Sequence, residues 1–461
     1  MLRGHAPLLV LLAVGLALRI LAPIAIYPGI WFTDSNGYIL TAATGTLSPI
    51  RVSGYALFVA PFLHLGSASG LIVVQHLIGL GIAVALYVLL LRRGVSRTVA
   101  TLAVVPAALD AYLIQVEHTI MSETIFHATL VAAFAVLLWE DRPGLVAVAV
   151  TGLLLGYAGV VRSVALPLVA VFLVYVLVRR LGWRHLVILG AGWAVVVAGY
   201  AAVYDAQHGR FGFTDSGGRY LYGEVAPFID CSRLPDLPAR ERVLCPPGGV
   251  NQTPTTATWS AKSPILKLPP GSDALVRDFA QRVLRDQPVR YAGTVARDVL
   301  HYFEPGHRQG RNDPSLAPWQ FPADPDHWGV PGYLGPIRPA DGDVHGPKPP
   351  IDPMVGAPHT NVAVAGVLHD YQRWVFTPGP VLAACLILVL VALVMRRGAW
   401  RLRVDAGFLA AAVLASLLVA NATTMFSYRY GLVAVLLLPV AAALAGSALL
   451  EHRTAERVRT S

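Results

Sequence analysis

Residues 7–26 read PLLVLLAVGLALRILAPIAI, an apolar run whose length decides how the rest of the chain is interpreted. About 20 apolar residues cross the hydrocarbon core of a bilayer as a helix, and no signal-peptide cleavage pattern follows this run. Similar runs recur along the chain, at residues 68–91, 98–115, 122–139, 145–161, 163–178, 185–204, 376–395, 404–422 and 431–449. The sequence therefore predicts an α-helical polytopic membrane protein with about ten transmembrane helices in a lipid bilayer.

The composition agrees with this class. Of the 461 residues, 55% are hydrophobic and only 14% are charged, whereas soluble globular domains have about 25% charged residues. The formal net charge of +9 comes from the apolar parts of the chain, because the long polar stretch 205–375 holds 17 basic and 18 acidic residues. A nucleic-acid surface would be a basic stripe on a soluble face, so we expect no nucleic-acid partner.

Arginine clusters follow every second predicted span and indicate the orientation of the chain. They comprise Arg92, Arg93 and Arg97, then Arg142, then Arg179, Arg180 and Arg184, then Arg396, Arg397, Arg401 and Arg403, and finally Arg453, Arg457 and Arg459. Because basic residues mark the cytoplasmic side, we expect a multi-pass protein of the plasma membrane with both termini inside. Residues 27–67 and 205–375 are then extracytoplasmic.

These predictions divide the chain into three parts. Residues 1–204 form an N-terminal transmembrane module of about seven spans that contains the first outer loop. Residues 205–375 form a soluble, loop-rich extracytoplasmic insert that contains helices. Residues 376–461 form a C-terminal module of about three spans with a basic cytoplasmic tail.

Local patterns predict the organisation of the insert. An apolar stripe predicts one helix with Ser272 as its N-cap and a second helix that begins at Pro288. The 13 prolines of residues 305–358 predict an irregular segment, because proline lacks a backbone donor and fixes φ. Thiols outside the cytoplasm meet an oxidising environment, so Cys231 and Cys245 are predicted to form a disulfide. The alternative is two unrelated free thiols.

Charged and titratable side chains crowd toward the predicted outer ends of the spans. They are Asp34, Arg51, Asp110, Glu117, His118, Glu123, His127, Arg162 and Arg429. Such groups are costly at membrane depth and usually mark functional sites. This asymmetry predicts a polar pocket at the outer leaflet, open to the insert.

Three of these residues suggest specific chemistry. Asp34 lies just past the first span, where a carboxylate can act as a general base or simply cap the following helix. Arg162 and Arg429 are single arginines at outer boundaries, where the positive-inside rule disfavours them. A guanidinium is suited to bidentate phosphate binding, and snorkelling toward lipid headgroups is the alternative.

Glu123 and His127 form a carboxylate–imidazole pair four residues apart on one face of the predicted fourth span. This spacing suits half of a metal site, so a divalent cation such as Mg²⁺, Mn²⁺ or Ca²⁺ is a candidate cofactor. The alternative is an ordinary helix start, with Ser122 as the N-cap and Glu123 placed favourably in the helix dipole.

Five strings along the chain resemble the GT-C superfamily of integral-membrane glycosyltransferases, especially the protein O-mannosyltransferases and lipid A aminoarabinose transferases. The strings are Asp34-Ser35-Asn36-Gly37-Tyr38, Arg51-Val52-Ser53-Gly54-Tyr55-Ala56-Leu57-Phe58, Met121-Ser122-Glu123-Thr124-Ile125-Phe126, residues 156–167 with Arg162, and Tyr428-Arg429-Tyr430. In the second string, Ala56 replaces the proline that is usual in the family. The resemblance covers roughly residues 1–200 and the last span, and the insert is atypical.

The resemblance implies an inverting transferase whose donor is a sugar, of mannose or arabinose type, linked to polyprenyl phosphate. The acceptor would be a cell-envelope glycan, a lipoglycan or a protein. Asp34 would be the catalytic base, and Arg51, Arg162 and Arg429 would bind the donor phosphate. The substrate pocket would contain Tyr38, Tyr55, Glu117, His118 and Tyr428, with a metal near Glu123 and His127.

Two other functions are compatible with parts of the pattern. A translocase for lipid-linked sugars would use the same outer arginines without catalysis, but the sequence shows neither the mid-membrane polar residues nor the inverted repeats typical of transporters. An extracytoplasmic binding protein would need far fewer spans as an anchor. The Ala- and Arg-rich, Lys-poor composition suggests an actinobacterial source, where such transferases build cell-wall glycans.

Overall fold

The computed structural model describes residues 2–234, 236–245, 253–260, 263–307, 315–322, 359–395 and 398–460, and the chain is predominantly α-helical there. The helices are α1 (Ala6–Ala25), α2 (Thr33–Thr44), α3 (Tyr55–His64), α4 (Ala68–Arg92), α5 (Arg97–Ala103), α6 (Val105–Leu109), α7 (Ala111–Glu117), α8 (Glu123–Leu137), α9 (Leu145–Val161), α10 (Leu168–Val178), α11 (Trp183–His208), α12 (Gly217–Val225), α13 (Pro254–Trp259), α14 (Asp273–Asp286), α15 (Pro288–His301), α16 (Val362–Trp374), α17 (Gly379–Met395), α18 (Trp400–Thr423) and α19 (Leu432–Thr460).

Short elements connect these helices. The 3₁₀ helices are Leu2–His5, Ser163–Ala165, Cys231–Arg233, Ala239–Leu244, Pro264–Lys267, Ala317–Trp319 and Tyr428–Gly431. Strands Ile26–Tyr27 (β1) and His359–Thr360 (β2) pair antiparallel, with Ile26 opposite Thr360. This pairing joins the end of α1 to the last part of the insert.

The helical membrane class is confirmed. Among the described residues, the helices long and apolar enough to cross a membrane are α1, α4, α11, α18 and α19, and a sixth span results if α16 and α17, bent by 43°, count as one. The helices α3, α8, α9 and α10 are also apolar but shorter. A 15-residue helix such as α8 is only about 22 Å long, shorter than a hydrocarbon core of about 30 Å.

The predicted span 98–115 is wrong as a single helix. The structure divides it into α5, α6 and α7. Pro106 occupies the first turn of α6, and the Asp110 side chain accepts hydrogen bonds from the backbone N–H groups of Tyr112 and Leu113, which caps α7. A proline followed by an internal cap ends one helix and starts the next. Among the described residues, this division affects one of the ten predicted spans, and each of the other nine corresponds to a single helix.

The insert has its own apolar core. The helices predicted from Ser272 and Pro288 are present as α14 and α15, although the Ser272 hydroxyl donates to the carbonyl of Pro269 instead of capping α14. The core includes Tyr222 and Phe279. Most of the proline-rich segment 305–358 lies outside the described residues.

Two features close and anchor the insert. Cys231 and Cys245 are joined in a disulfide, with their Cα atoms 6.0 Å apart. Hydrogen bonds from the Tyr291 hydroxyl to the carbonyl of Ala422 (2.8 Å) and from the Tyr302 hydroxyl to that of Ser427 (2.9 Å) attach α15 to the C-terminal end of α18. The insert therefore contacts the loop that carries Arg429.

A charged cluster near the C-terminal end of α8 joins α18 to α10 and to the end of α4. The buried carboxylate of Asp405 accepts hydrogen bonds from Arg93, from Arg179 (2.8 Å) and from the Tyr175 hydroxyl (2.7 Å). Arg93 also pairs with Asp141, which follows α8. Since α8 begins at Glu123 and ends before Asp141, the arginine-rich loops and Glu123 lie at opposite ends of this helix.

Loss of the Asp405 charge should destabilise the protein. In Asp405→Asn, two buried guanidinium groups lose their carboxylate, and we expect the free energy of unfolding to fall by about 3–5 kcal/mol. Asp141→Asn is the matched control, because Asp141 also pairs with Arg93 but is 49% exposed, and such pairs contribute about 0–1 kcal/mol. Thermal unfolding of the purified variants measures both effects, and equal losses would contradict this account.

Glu224 should make the stability of the insert depend on pH. Its carboxyl is buried, and Oε1 has no hydrogen-bond partner among the described residues. Desolvation, with a smaller contribution from Asp298 opposed by Arg297, holds its pKa well above the usual value. Stability from the protonated form is therefore present at low pH and lost as the pH rises through the folded-state pKa. The thermal unfolding temperature of wild type should therefore fall as the pH rises above the usual titration range of a carboxyl group. Glu224→Gln should flatten this dependence, and parallel profiles for the two proteins would contradict it.

Orientation can be tested by labelling from outside the cell. Thr46 is exposed just after α2, the helix that begins beside Asp34, and Arg142 is exposed after the C-terminal end of α8. In a Cys385→Ala background, we expect a membrane-impermeant maleimide to label Thr46→Cys in intact cells and Arg142→Cys only after permeabilisation. The reverse pattern would place the Asp34 side of the molecule in the cytoplasm.

Candidate active site

Asp34 lies in the first turn of α2, and Arg51 precedes α3. The start of α2 is fixed by a reciprocal pair of bonds, in which the backbone N–H of Phe32 donates to Ser35 Oγ and that of Ser35 donates to the carbonyl of Phe32. The Ser35 hydroxyl in turn donates to the carbonyl of Ile120 (2.7 Å). Arg51 Nη2 then lies 3.0 Å from Asp34 Oδ1. The Asp34 carboxylate is thus held by its helix start and by one guanidinium.

Arg429 connects Asp34 to a second carboxylate. It belongs to the 3₁₀ turn directly before α19, and its Nη1 lies 3.8 Å from Asp34 Oδ2 and 3.1 Å from Glu123 Oε1. Its guanidinium lies over the Trp319 ring at 4.6 Å and the Tyr430 ring at 5.0 Å. Trp319 comes from the insert, so the insert forms part of the wall around Arg429.

Glu123 is the buried centre of the other half of the site. Its side chain is 2% exposed, and its Oε1 also pairs with Arg162 Nη1. Arg162 Nη1 approaches the hydroxyl of Ser122 (3.3 Å), which also accepts a hydrogen bond from the Tyr38 hydroxyl (3.1 Å). Two guanidinium groups therefore meet on one carboxylate oxygen at the N-terminus of α8.

The structure brings most of the predicted site residues together. Asp34, Arg51, Glu123, Arg162 and Arg429 form one group of alternating charges, which we call the arginine–acid cluster. Exposure decreases from Asp34 (17%) to Glu123 (2%), so Asp34 lies at the accessible edge of the cluster. Tyr38 borders it through Ser122.

Tyr55 and Tyr428 lie next to this group, but their hydroxyls point to other partners. The Tyr55 ring packs edge-on against Tyr38, with the ring centroids 4.9 Å apart. Tyr55 is fully buried and donates its hydroxyl to Gln75 Oε1 (2.6 Å). The Tyr428 hydroxyl bonds to His301 Nε2 (3.0 Å), and the residue lines a separate cavity with Tyr112 and Glu304. None of these contacts places Tyr55 or Tyr428 beside the Asp34 carboxylate.

Glu117 and His118 belong to a buried polar chain. Glu117 accepts a bidentate pair of hydrogen bonds from Arg19 (2.7 and 2.8 Å), and its Oε2 lies 3.1 Å from His76 Nδ1. His76 Nε2 lies 3.1 Å from His118 Nδ1, and His118 Nε2 lies 2.9 Å from the carbonyl of Ile26. These two residues are thus buried within the helical bundle.

Sequence analysis did not identify two contributors to this region. Arg19 is a single charge within the first apolar run, and its isolation there indicates that a buried group of opposite charge pairs with it. No local sequence pattern indicates that Trp319 contacts Arg429, because this contact depends on how the insert packs against the helices. Gln372 Nε2 donates to the Trp319 carbonyl (3.0 Å), and Gln115 Nε2 donates to that of Pro318 (3.2 Å), which fixes this segment.

The residues around Glu123 do not fit a divalent cation. In the described part of the chain, no group of three or more His, Cys, Asp or Glu side chains is placed to hold a metal. Glu123 already faces Arg162 and Arg429, whose positive charges would repel a second cation, and two guanidinium groups supply no ligand atoms. We therefore derive no chemical step that uses a metal.

Comparison with known proteins gives one similar structure. No protein-family model matches the chain, and no curated protein matches it. The crystal structure of ArnT from Cupriavidus metallidurans in the apo state is similar to this chain with a TM-score of 0.36 and 13% sequence identity, over 95% of this chain and 77% of that chain. Similarity at this level leaves the family and the activity of the chain to be argued from its own residues.

Proposed function

We propose that this protein is an inverting glycosyltransferase of the GT-C type, which moves a sugar from a polyprenyl-phosphate donor to an extracytoplasmic acceptor hydroxyl. The observation that carries the proposal is the arginine–acid cluster. Four separate parts of the chain contribute to it: the Asp34–Arg51 loop, Glu123, Arg162 and Arg429. Charges gathered in this way at a membrane boundary are energetically costly and usually mark a functional site.

The three guanidinium groups suit a lipid phosphate. Arginine presents planar, forked donors that match phosphate oxygens. Arg51 pairs with Asp34, Arg162 pairs with Glu123, and Arg429 contacts both carboxylates, so their donors converge on one small region. A phosphate bound there would replace Glu123 as the partner of Arg162 and Arg429.

The formal charge of the cluster balances the charge of the donor phosphate both before and after the transfer. Three guanidinium groups and two carboxylates leave one positive charge, which balances the single negative charge of a sugar phosphodiester. After transfer, Asp34 carries the proton and is neutral, while the polyprenyl phosphate carries close to two negative charges at pH 7. The cluster then has two positive charges, so neutrality is kept as charge develops.

The chemistry follows from the position of Asp34. An acceptor hydroxyl gives its proton to the Asp34 carboxylate while its oxygen attacks the anomeric carbon from the face opposite the phosphate. The bond between that carbon and the phosphate oxygen breaks, and its electron pair stays on the phosphate, which the arginines stabilise. Asp34 is assigned this role because it is the more exposed of the two carboxylates.

The sugar and the acceptor are proposed from the sequence resemblance. It favours a mannose or arabinose type of sugar and an acceptor that is a cell-envelope glycan, a lipoglycan or a protein. The insert would help to bind this acceptor, since it contributes Trp319 to the wall of the cluster. The lipid tail of the donor would lie in the bilayer beside the apolar helices.

Removing the proposed base should abolish transfer. For Asp34→Asn, which keeps the size but not the basicity of the side chain, we expect the transfer rate to fall by about 100- to 10,000-fold. Purified protein in lipid vesicles, with a radiolabelled polyprenyl-phosphate sugar as donor, measures this rate. Gel filtration and thermal unfolding serve as the control for folding. Transfer at the wild-type rate would exclude Asp34 as the base.

Arg429 should act through the shape of its guanidinium as well as its charge. We expect Arg429→Lys to weaken donor binding in part, because lysine keeps the positive charge but loses the forked donors. Arg429→Ala should weaken it much more, because the charge is lost as well. Titration of each variant with the donor lipid measures the dissociation constant. Equal weakening would indicate a packing role. Donor binding by wild type without any transfer would instead favour the translocase.

A further inference from the structure

Three buried polar atoms near the arginine–acid cluster have no hydrogen-bond partner among the described residues. They are Glu123 Oε2, Arg429 Nε and Thr124 Oγ1. Buried polar atoms are almost always paired, and ordered water is the usual partner when the protein offers none. All three atoms are close to the first turn of α8, which suggests a common explanation.

His127 lines two small cavities, and the residues that carry these three atoms also line one or the other of them. One cavity, of about 10 Å³, is lined by Glu123, Arg429 and His127. The other, also of about 10 Å³, is lined by Thr124, Glu117 and His127. A cavity of this size with two to four polar partners has room for one water molecule.

The second cavity borders the buried polar chain. Glu117 Oε2 accepts from Arg19 and lies 3.1 Å from His76 Nδ1, and His76 Nε2 lies 3.1 Å from His118 Nδ1. A carboxylate has about four acceptor sites, so Glu117 can accept a further hydrogen bond from the cavity. His127 therefore stands between this chain and the arginine–acid cluster.

We propose that each cavity binds one water molecule, and that His127 joins the two waters through its two ring nitrogens. The first water then donates to Glu123 Oε2 and accepts from Arg429 Nε. The second connects His127 to Thr124 Oγ1 and Glu117. In this arrangement each of the three atoms named above gains a partner, and Glu123 is linked to Glu117.

This site makes His127 a positioning residue for Glu123, an inference that rests on the proposed function. When a donor phosphate takes over Arg162 and Arg429, Glu123 loses the donors that pair with it directly. The water held by His127 remains and keeps a hydrogen bond on the buried carboxylate. Donor binding therefore costs less than it would without His127.

The waters can be tested without any assay of activity. A density map of the full chain in lipid nanodiscs at about 2 Å resolution should show one peak in each cavity, within hydrogen-bond distance of His127. Cavities without density on either side of His127 would overturn the proposal. This result does not depend on whether the protein transfers a sugar, so it separates the water sites from the proposed function.

The positioning role predicts a particular kinetic change. His127→Leu should raise the donor KM about tenfold, the effect of losing one hydrogen bond to a charged group, with kcat changed by less than about twofold. His127→Gln, which keeps a donor and an acceptor, should restore most of the affinity. Thr124→Val, which affects only the second water, should have a smaller effect. If His127→Leu and His127→Gln lower kcat equally with KM unchanged, His127 is a packing residue and the role is excluded.

Discussion

The contact of Arg429 with two carboxylates is the interaction on which the arginine–acid cluster depends. Its guanidinium lies 3.8 Å from Asp34 and 3.1 Å from Glu123, which belong to the first turns of α2 and α8. An isolated charge at membrane depth is costly, so each of these groups requires the others. The starts of α2, α8 and α19 are consequently held in one arrangement, and the same arrangement brings the guanidinium groups of the cluster together.

The same constraint explains the rest of the polar interior. Arg19 is tolerated within the first apolar run because Glu117 and the backbone carbonyl of Ala108 (2.7 Å) accept its hydrogen bonds. At the other end of α8, Asp405 is buried because Arg93 and Arg179 neutralise it. Each buried charge thus joins helices that are distant in sequence, and together these pairs fix how the apolar helices pack.

Much of this could be predicted from the sequence, and the failures have a physical pattern. Asp34, Arg162 and Arg429 were identifiable because each charge stands where topology alone does not explain it. The place of Tyr55 in a substrate pocket stays a prediction, but its hydroxyl bonds to Gln75 inside the bundle, a pairing that no local pattern reveals. Likewise, hydropathy marked residues 98–115 as a span, because it does not register the capping by Asp110 that divides the helix. Local chemistry is thus visible in the sequence, whereas partners contributed by distant segments are not.

A density map of the full chain with a non-reactive polyprenyl-phosphate sugar analogue bound is the most direct measurement of the central claim. The account predicts phosphate oxygens within about 3 Å of the guanidinium groups of Arg51, Arg162 and Arg429, with the anomeric carbon facing Asp34. A phosphate bound instead near Arg93 and Arg179 at the other end of α8, or a sugar turned away from Asp34, would contradict it.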